Sequence, residues 1–276
     1  MGGIHKNFKV RAPDPRLAVI DERLKEVKRI IVVLSGKGGV GKSLIASTLS
    51  LLLKKRGYSV GLLDLDFHGP SCHIILGTKG MMPKEEKGII PPSARGIKLM
   101  SVVYYVGDEP LPLRGAEISD AFTELLAITK WGRVDYLIVD VPPGIGEEVL
   151  DVIRLMKKGE FLIVTTPSSL VLKTVSKLTK LLLEMKTSIL GVVENMRIAK
   201  TELVEEYAEK FGIRYLGAIH FDHDLEKCLG NPERLLKSEF ASQAKNIADR
   251  ILELSPNRRQ VSKSLVGKDD GGKPWR

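Results

Sequence analysis

A glycine-rich stretch with two lysines offers the clearest chemistry in this sequence. Residues 36–43 read GKGGVGKS and match GxxxxGK[ST], a pattern whose backbone N–H groups curl around phosphate oxygens. Lys42 is suited to the β and γ phosphates, and the Ser43 hydroxyl is suited to Mg²⁺. The stretch follows an apolar run and opens a Leu-rich helical segment, which adds its N-terminal dipole. The predicted phosphate-binding residues are Gly36, Lys37, Gly38, Gly39, Val40, Gly41, Lys42, Ser43 and Leu44.

Three aspartates follow later apolar runs. Asp64 and Asp66 lie in LLDLDFHGPS, and Asp140 ends DYLIVD. Ligands of open α/β sheets bind at the carboxyl ends of the strands, so these carboxylates are expected near the glycine-rich loop. Asp140 then binds Mg²⁺ through water, as a Walker B residue does, and Asp64 lies beside the metal or only caps its strand. Residues 142–144, Pro-Pro-Gly, form either a phosphate-sensing switch or a plain turn.

The pattern of apolar runs predicts the elements that position these residues. Six short runs lack strict polar alternation, which is typical of strands buried on both faces of a parallel sheet. They are Ile30–Leu34, Val60–Leu63, Tyr136–Val139, Phe161–Val164, Ile189–Val193 and Tyr215–Ile219. Helices are expected over Ser43–Arg56, over Ser169–Met185 and up to about Leu254. The predicted fold is α/β, a doubly wound and mostly parallel sheet flanked by helices. The Gly- and Pro-rich residues 77–96 are expected to form a surface loop or insertion.

The charge distribution suggests how the 276 residues are organised. The net charge is +9, and residues 1–29 and 255–276 together carry +8 of it. We therefore expect a basic N-terminal extension (1–28), a P-loop ATPase domain (29–254) and a basic, disordered tail (255–276). Because the body is nearly neutral, the sequence carries no strong nucleic-acid signal, although anionic contacts by the ends stay an alternative.

Cysteine usage and hydropathy indicate the compartment. Cys72 and Cys228 are the only cysteines and lie far apart, so they form neither a disulfide framework nor a CxxC pair. No apolar run reaches the roughly 20 residues of a membrane-spanning helix, and the first residues lack the apolar core of a secretory signal. We expect a cytoplasmic protein.

Five motifs in order resemble one branch of a known group of ATPases. GKGGVGKS, with a lysine early in the loop, is similar to the altered P-loop of the MinD/ParA group. Together with DLDFHGPS, DYLIVDVPPG, VTTPSS and GVVENM, it resembles the Mrp/ApbC iron–sulfur cluster carriers. An Arg-Gly pair at residues 114–115 resembles another feature of that branch. The resemblance spans about residues 29–252.

The resemblance implies roles for individual residues. Lys37 would reach the nucleotide of a facing subunit, so that hydrolysis depends on a homodimer, and the catalytic residues would be Lys37, Lys42 and Asp66. Asp66 would position or activate water, while Ser43, Asp64 and Asp140 would hold Mg²⁺, partly through water. Asn195, at the end of the strand Ile189–Val193, would read adenine. As a lone Asn at a strand end it would otherwise be a turn residue.

One departure from that branch concerns its cargo. Members that carry a [4Fe–4S] cluster place a CxxC soon after the Asn-Met strand, because two chains must supply four thiolates. Here the residues after Met196 read RIAKTELVEEYAEKFGIRYLG, without cysteine, and no iron–sulfur ligand is assigned.

Three functions therefore stay open. The leading one is an ATP- and Mg²⁺-dependent ATPase in iron–sulfur protein maturation, with client or assembly proteins as partners and with altered or absent cluster binding. The alternatives are a MinD/ParA-like switch that engages a protein, DNA or membrane, and a purely regulatory nucleotide-binding protein.

Overall fold

The structure is a computed structural model that describes residues 14–78, 80–106, 113 and 115–254. Its strands within those residues are β1 (Val27–Ser35), β2 (Val60–Asp64), β3 (Lys84–Glu85), β4 (Ile89–Ile90), β5 (Ser93–Ala94), β6 (Ile97–Ser101), β7 (Val134–Asp140), β8 (Gly159–Thr165), β9 (Ser188–Arg197) and β10 (Tyr215–His220). Its helices are α1 (Arg16–Arg23), α2 (Lys42–Lys55), α3 (Cys72–Ile75), α4 (Val103–Val106), α5 (Ala116–Ile128), α6 (Glu147–Leu155), α7 (Ser169–Glu184), α8 (Leu203–Phe211), α9 (Pro232–Leu235) and α10 (Glu239–Glu253), with a 3₁₀ turn at Leu225–Cys228.

One sheet organises the molecule. Its strand order is β10-β9-β8-β1-β7-β2-β6-β5, and every pairing is parallel except the antiparallel β5–β6 contact at the edge. Helices cover the strands, so that residues such as Ile31, Val32 and Val33 of the central strand are fully buried. The predicted doubly wound, mostly parallel fold is confirmed.

The six predicted strands and three predicted helices are all present, and the structure adds elements that the apolar pattern did not reveal. β6 was not predicted because its sequence, IKLMS, is short and follows a stretch crowded with Gly and Pro. The surface loop expected over residues 77–96 contains the small β3–β4 hairpin and the edge strand β5.

The predicted basic extension, residues 1–28, contains a packed helix. In α1, Ile20 is only 1% exposed, and the helix lies against α5, where Arg16 pairs with Asp120 at 2.7 Å. Four of its eight residues are charged and only Ile20 is buried, so the sequence alone indicates a solvated segment. The tail predicted to be disordered, residues 255–276, lies outside the described residues.

A buried ion pair joins the sheet to the last helix. Arg29 of β1 donates from Nε and Nη2 to the two oxygens of Glu160 in β8, at 2.7 and 3.1 Å. Its Nη1 donates to the Ile251 carbonyl of α10 at 3.2 Å. Its guanidinium also lies over the Tyr136 ring, 5.7 Å from the centroid. The fork of one arginine thus connects two strands and a helix.

No helix in the described part of the chain combines the length and the apolar character needed to cross a lipid bilayer.

Candidate functional site

The glycine-rich loop joins the central strand to the first long helix. β1 ends at Ser35, residues 36–41 form the loop, and α2 begins at Lys42. Gly39 and Gly41 have φ values of 79° and 81°, a left-handed conformation that favours glycine. Gly36 lies against α7: a Cβ there would approach the Val175 backbone nitrogen to 2.8 Å. The glycines are therefore required by backbone geometry as well as by phosphate access.

An open cavity of about 460 Å³ lies over this loop. Its lining includes every predicted phosphate-binding residue except the buried Gly36, and it adds Asp66, Gly69 and Pro143. The further lining residues are Ser35, Ser71, Ile74, Ile75 and Leu229. The structure thus brings the loop, the predicted acidic segment at residues 62–71 and the predicted switch to one cavity.

Lys42 lies at the centre of the charged groups. Its Nζ is 2.5 Å from Oδ1 of Asp140, 3.9 Å from Oδ2 of Asp66 and 3.4 Å from the Ser43 hydroxyl. Burial lowers the pKa of this ammonium, but the Asp140 and Asp66 carboxylates outweigh burial and raise the pKa above its ordinary value. Lys42 is therefore a positive charge held inside the protein.

Asp64 and Asp140 end adjacent strands and face each other in register. Both side chains are fully buried. Burial first, and then the neighbouring Asp140 charge, raise the pKa of Asp64 to about 7. Burial also raises the pKa of Asp140, although the Lys42 ammonium opposes it. Two carboxylates and one ammonium make this interior short of positive charge.

Asp64 organises the loop that follows β2. Its Oδ1 accepts the N–H of Asp66, and its Oδ2 accepts the N–H groups of Ser71 and Cys72, all at 3.1 Å. Backbone donors therefore already occupy its oxygens. This geometry is that of a strand-end anchor, the second role considered for Asp64, and its contact with a metal stays a prediction.

Asp66, the predicted catalytic carboxylate, lies at the wall of the cavity. Its side chain is 14% exposed, lines the cavity, and accepts the N–H of Gly69 at 3.1 Å through Oδ1. Its Oδ2 faces Lys42. The carboxylate is fixed at one oxygen and open to the cavity at the other.

Cys72 is a neighbour that the sequence did not reveal. Its thiol lies 3.6 Å from Oδ2 of Asp140, and ligand-type atoms of Asp64, Cys72 and Asp140 all lie within 4.8 Å of one another. Burial, followed by the two carboxylates, raises the pKa of the thiol well above its usual range. The two residues lie 68 positions apart, so no local pattern predicts their contact.

The predicted switch segment closes one side of the loop. Pro143 lines the cavity, and the Gly144 N–H donates to the Ser35 carbonyl at 2.9 Å. Gly144 has a φ of 107°, which only glycine adopts readily. The segment thus connects the end of β7 to the start of the glycine-rich loop.

Asn195 and Lys37 lie on different sides of the loop. Asn195 is 2% exposed, and its Nδ2 donates to the Val40 carbonyl at 2.8 Å. Lys37 is exposed and lines the cavity. Of the predicted Arg-Gly pair, residue 114 lies outside the described residues. The adenine role of Asn195 stays a prediction.

A second charged cluster follows Asn195. Arg197 donates from Nε and Nη2 to the buried Glu194 carboxylate at 2.7 and 2.5 Å, and the Tyr215 hydroxyl donates to the same carboxylate at 3.0 Å. The sequence carries no signal for this cluster, because Tyr215 comes from the neighbouring strand. The cluster holds the end of β9 against β10.

A family model decides the relationship. The model described as ParA, NUBPL iron-transfer P-loop NTPase, matches residues 26–254. The chain belongs to this family. Members of the P-loop NTPase class bind and hydrolyse nucleotides, and the resemblance to Mrp/ApbC carriers within the MinD/ParA group is confirmed.

Relatives and solved structures agree with the family. An iron–sulfur cluster carrier protein of Pyrococcus horikoshii is 36% identical over 94% of this chain and 95% of its own length. One of Saccharolobus solfataricus is 34% identical over 90% of each chain. A nucleotide-binding protein of Archaeoglobus fulgidus, solved with ADP and cobalt, superposes with a TM-score of 0.69 at 32% identity and covers 79% of this chain and 92% of its own. MinD of Pyrococcus furiosus, at 20% identity over 83% of this chain and all of its own, shares the fold with a TM-score of 0.63.

Proposed function

We propose that this NUBPL-family protein binds Mg·ATP over its glycine-rich loop, hydrolyses it as a homodimer, and uses the cycle in iron–sulfur protein maturation. The observation that carries the proposal is the buried Lys42 ammonium between Asp140 and Asp66 at the floor of the cavity. When a nucleotide enters, a lysine in that position leaves its carboxylate partner and pairs with phosphate oxygens instead, because the carboxylate and the phosphate are both anionic.

The oxygen donors present fit Mg²⁺. Ser43 and Asp140 offer a hydroxyl and a carboxylate, the hard ligands that this ion prefers, and the excess of carboxylates favours a further cation. Ser43 and Asp140 would hold the ion, with Asp64 behind them. When bound, it would neutralise charge on the phosphate oxygens.

Asp66 supports the hydrolytic step. Its Oδ2, which lies 3.9 Å from the Lys42 Nζ, is suited to orient a water and accept its proton while the water oxygen bonds to the γ-phosphorus. The bond to the β–γ bridging oxygen then breaks, which leaves ADP and phosphate. Lys42 stabilises the charge that develops on the phosphate oxygens.

The exposed position of Lys37 supports the dimeric site. Its side chain is exposed and lines the cavity, whereas Lys42 is buried beside the carboxylates. We propose that it contacts the nucleotide of a second copy. Lys37→Ala would then abolish turnover while the isolated chain still binds ATP. Sedimentation measures the association of the chains, and nucleotide titration measures the binding of ATP.

The test of hydrolysis compares two aspartate variants. We expect Asp66→Asn to lower kcat about 100-fold, because the variant loses the proton acceptor, while ATP affinity changes little. Asp21→Asn, on the surface of α1, is the control and should keep full turnover. Phosphate release measured with Mg·ATP checks both. Wild-type release no faster than that of Asp66→Asn would refute the hydrolytic function.

The names of the relatives support a role with iron–sulfur clusters as cargo. The cysteines favour a second candidate, an ATP-dependent switch that carries no cluster itself. Cys72 is fully buried beside Asp140, and only Cys228 is partly exposed. Two chains therefore offer two accessible thiols, whereas a [4Fe–4S] cluster takes four ligands.

Anaerobic reconstitution with iron and sulfide separates these two candidates. About four iron atoms per dimer with a visible thiolate-to-iron band would support the carrier, and Cys228→Ser should then remove the band while Cys72→Ser should not. A dimer that hydrolyses ATP but retains no iron would instead support the switch.

A further inference from the structure

The Asn195 carboxamide lies directly behind the glycine-rich loop. Its Nδ2 donates to the Val40 carbonyl at 2.8 Å, and the side chain is almost wholly buried. Among the described residues it does not line the cavity, whereas Val40 and Gly41 do. Asn195 therefore contacts the loop from the side opposite the nucleotide space.

The hydrogen bond fixes the direction of a peptide group. The Val40 carbonyl and the Gly41 N–H belong to one planar trans peptide, so they point in opposite directions. Because Asn195 holds the carbonyl away from the cavity, the Gly41 N–H is directed toward it. In a loop that binds phosphate through backbone donors, that direction decides whether one donor is available.

Gly41 alone does not enforce this direction. A flip of the peptide between Val40 and Gly41 would change the φ of Gly41 from 81° to roughly −100°, and glycine adopts both values readily. The space around Gly41 is tight on the Asn195 side: a Cβ there would collide with Nδ2. The loop thus combines a residue that permits a flip with a side chain that opposes it.

Asn195 is itself held on both sides. Glu194, before it, is buried and bound by Arg197 and Tyr215. Met196, after it, has a φ of 56°, and its methyl group approaches the Gly41 position. The end of β9 is therefore fixed against β10, and it presents the carboxamide in one place.

We infer that Asn195 is a positioning residue for the phosphate loop, and that it acts by holding the Val40–Gly41 peptide so that Gly41 N–H faces the nucleotide phosphates. The inference rests on the proposed ATP function. It assigns Asn195 a role toward the phosphates, through the backbone, that is separate from any contact with the base. The binding of a probe without a base should therefore also depend on Asn195.

The test uses three probes on the full chain: Mg·ATP, Mg·GTP and magnesium tripolyphosphate, which has no base. We expect Asn195→Ala to weaken the binding of all three, and that of tripolyphosphate by roughly three- to tenfold, the effect of one hydrogen bond. Asn246→Ala, on the exposed surface of α10, is the matched control and should leave all three dissociation constants unchanged. Thermal unfolding of each variant identifies any general loss of fold.

The outcomes are distinguishable. Weaker ATP binding with unchanged tripolyphosphate binding would assign Asn195 to adenine and overturn the inference, as would three unchanged constants. A wild-type chain that binds none of the probes would refute the proposed function itself, and the inference with it. If Asn195→Ala does not fold, Asn195→Ser undergoes the same titrations, because its shorter hydroxyl does not span the distance to Val40.

Discussion

Two buried ion pairs lie at opposite ends of the central strands and are built differently. Near the amino ends, Arg29 meets one carboxylate, Glu160, through two hydrogen bonds, and its third nitrogen donates to a carbonyl. Near the carboxyl ends, Lys42 meets Asp140 while Asp64 and Asp66 lie close by. The first pair is balanced in charge, whereas the second has more carboxylates than cations.

The difference separates a structural pair from a functional one. A buried pair that is fully hydrogen-bonded offers no place for another ion, because each partner is satisfied. A buried site with surplus carboxylates is costly by itself, and it gains stability when a cation arrives. The carboxyl end of the sheet, with its surplus carboxylates, is therefore the end that would gain stability from a bound cation.

The largest effect is expected at the unbalanced pair. Lys42→Ala should reduce ATP turnover at least about 100-fold, because the charge that stabilises the transferred phosphoryl group is lost. Lys55→Ala, at the exposed end of the same helix, is the matched control and should retain turnover. Steady-state phosphate release checks the pair. Equal rates for the two variants would contradict the functional assignment of Lys42.

The balanced pair should respond in stability instead. Glu160→Gln leaves the Arg29 charge buried without a carboxylate, so we expect the free energy of unfolding to fall by about 3 kcal/mol. Turnover below the unfolding transition should be unchanged. Urea unfolding measures the loss. Replacing both partners, as Arg29→Met with Glu160→Leu, should cost less than the single change, and a larger cost would contradict this account.

The smallest effect is expected at an exposed pair of similar geometry. Lys28 approaches Asp135 to 2.6 Å, about as closely as Lys42 approaches Asp140, but its side chain is 76% exposed. Water and salt screen such a pair. Lys28→Ala should therefore leave the thermal unfolding midpoint unchanged within error. A shift as large as that of Glu160→Gln would show that distance, rather than burial, sets the strength of these pairs.

Local patterns explain how much of the fold the sequence predicts. Six strands were predicted because burial on both faces makes their apolar runs continuous, as in Val60–Leu63. The sequence does not reveal strand β6 and helix α1, because one is short and the other buries few positions. Their places depend on neighbours, such as α5 beneath Ile20, which no local pattern reveals.

The candidate site also combines local motifs, which the sequence predicts, with contacts that only the fold creates. The loop and its acids are local motifs, and the structure brings Lys42, Asp66 and Asp140 together as their strand-end positions predict. The contact between Asn195 and Val40 joins positions 155 residues apart, and that between Cys72 and Asp140 joins positions 68 apart. Such contacts follow from the order of strands in the sheet, which spacing along the chain does not encode.

The in-register pairing of Asp64 with Asp140 has a further consequence for how this site tolerates change. Side chains alternate between the faces of a strand, so removing one residue from β2 or β7 would turn its terminal carboxylate to the opposite face. Loops such as residues 77–96 are free of that constraint. Insertions and deletions should therefore be tolerated in the loops between elements. In β2 and β7, a change of length should be tolerated as poorly as a change of the last residue.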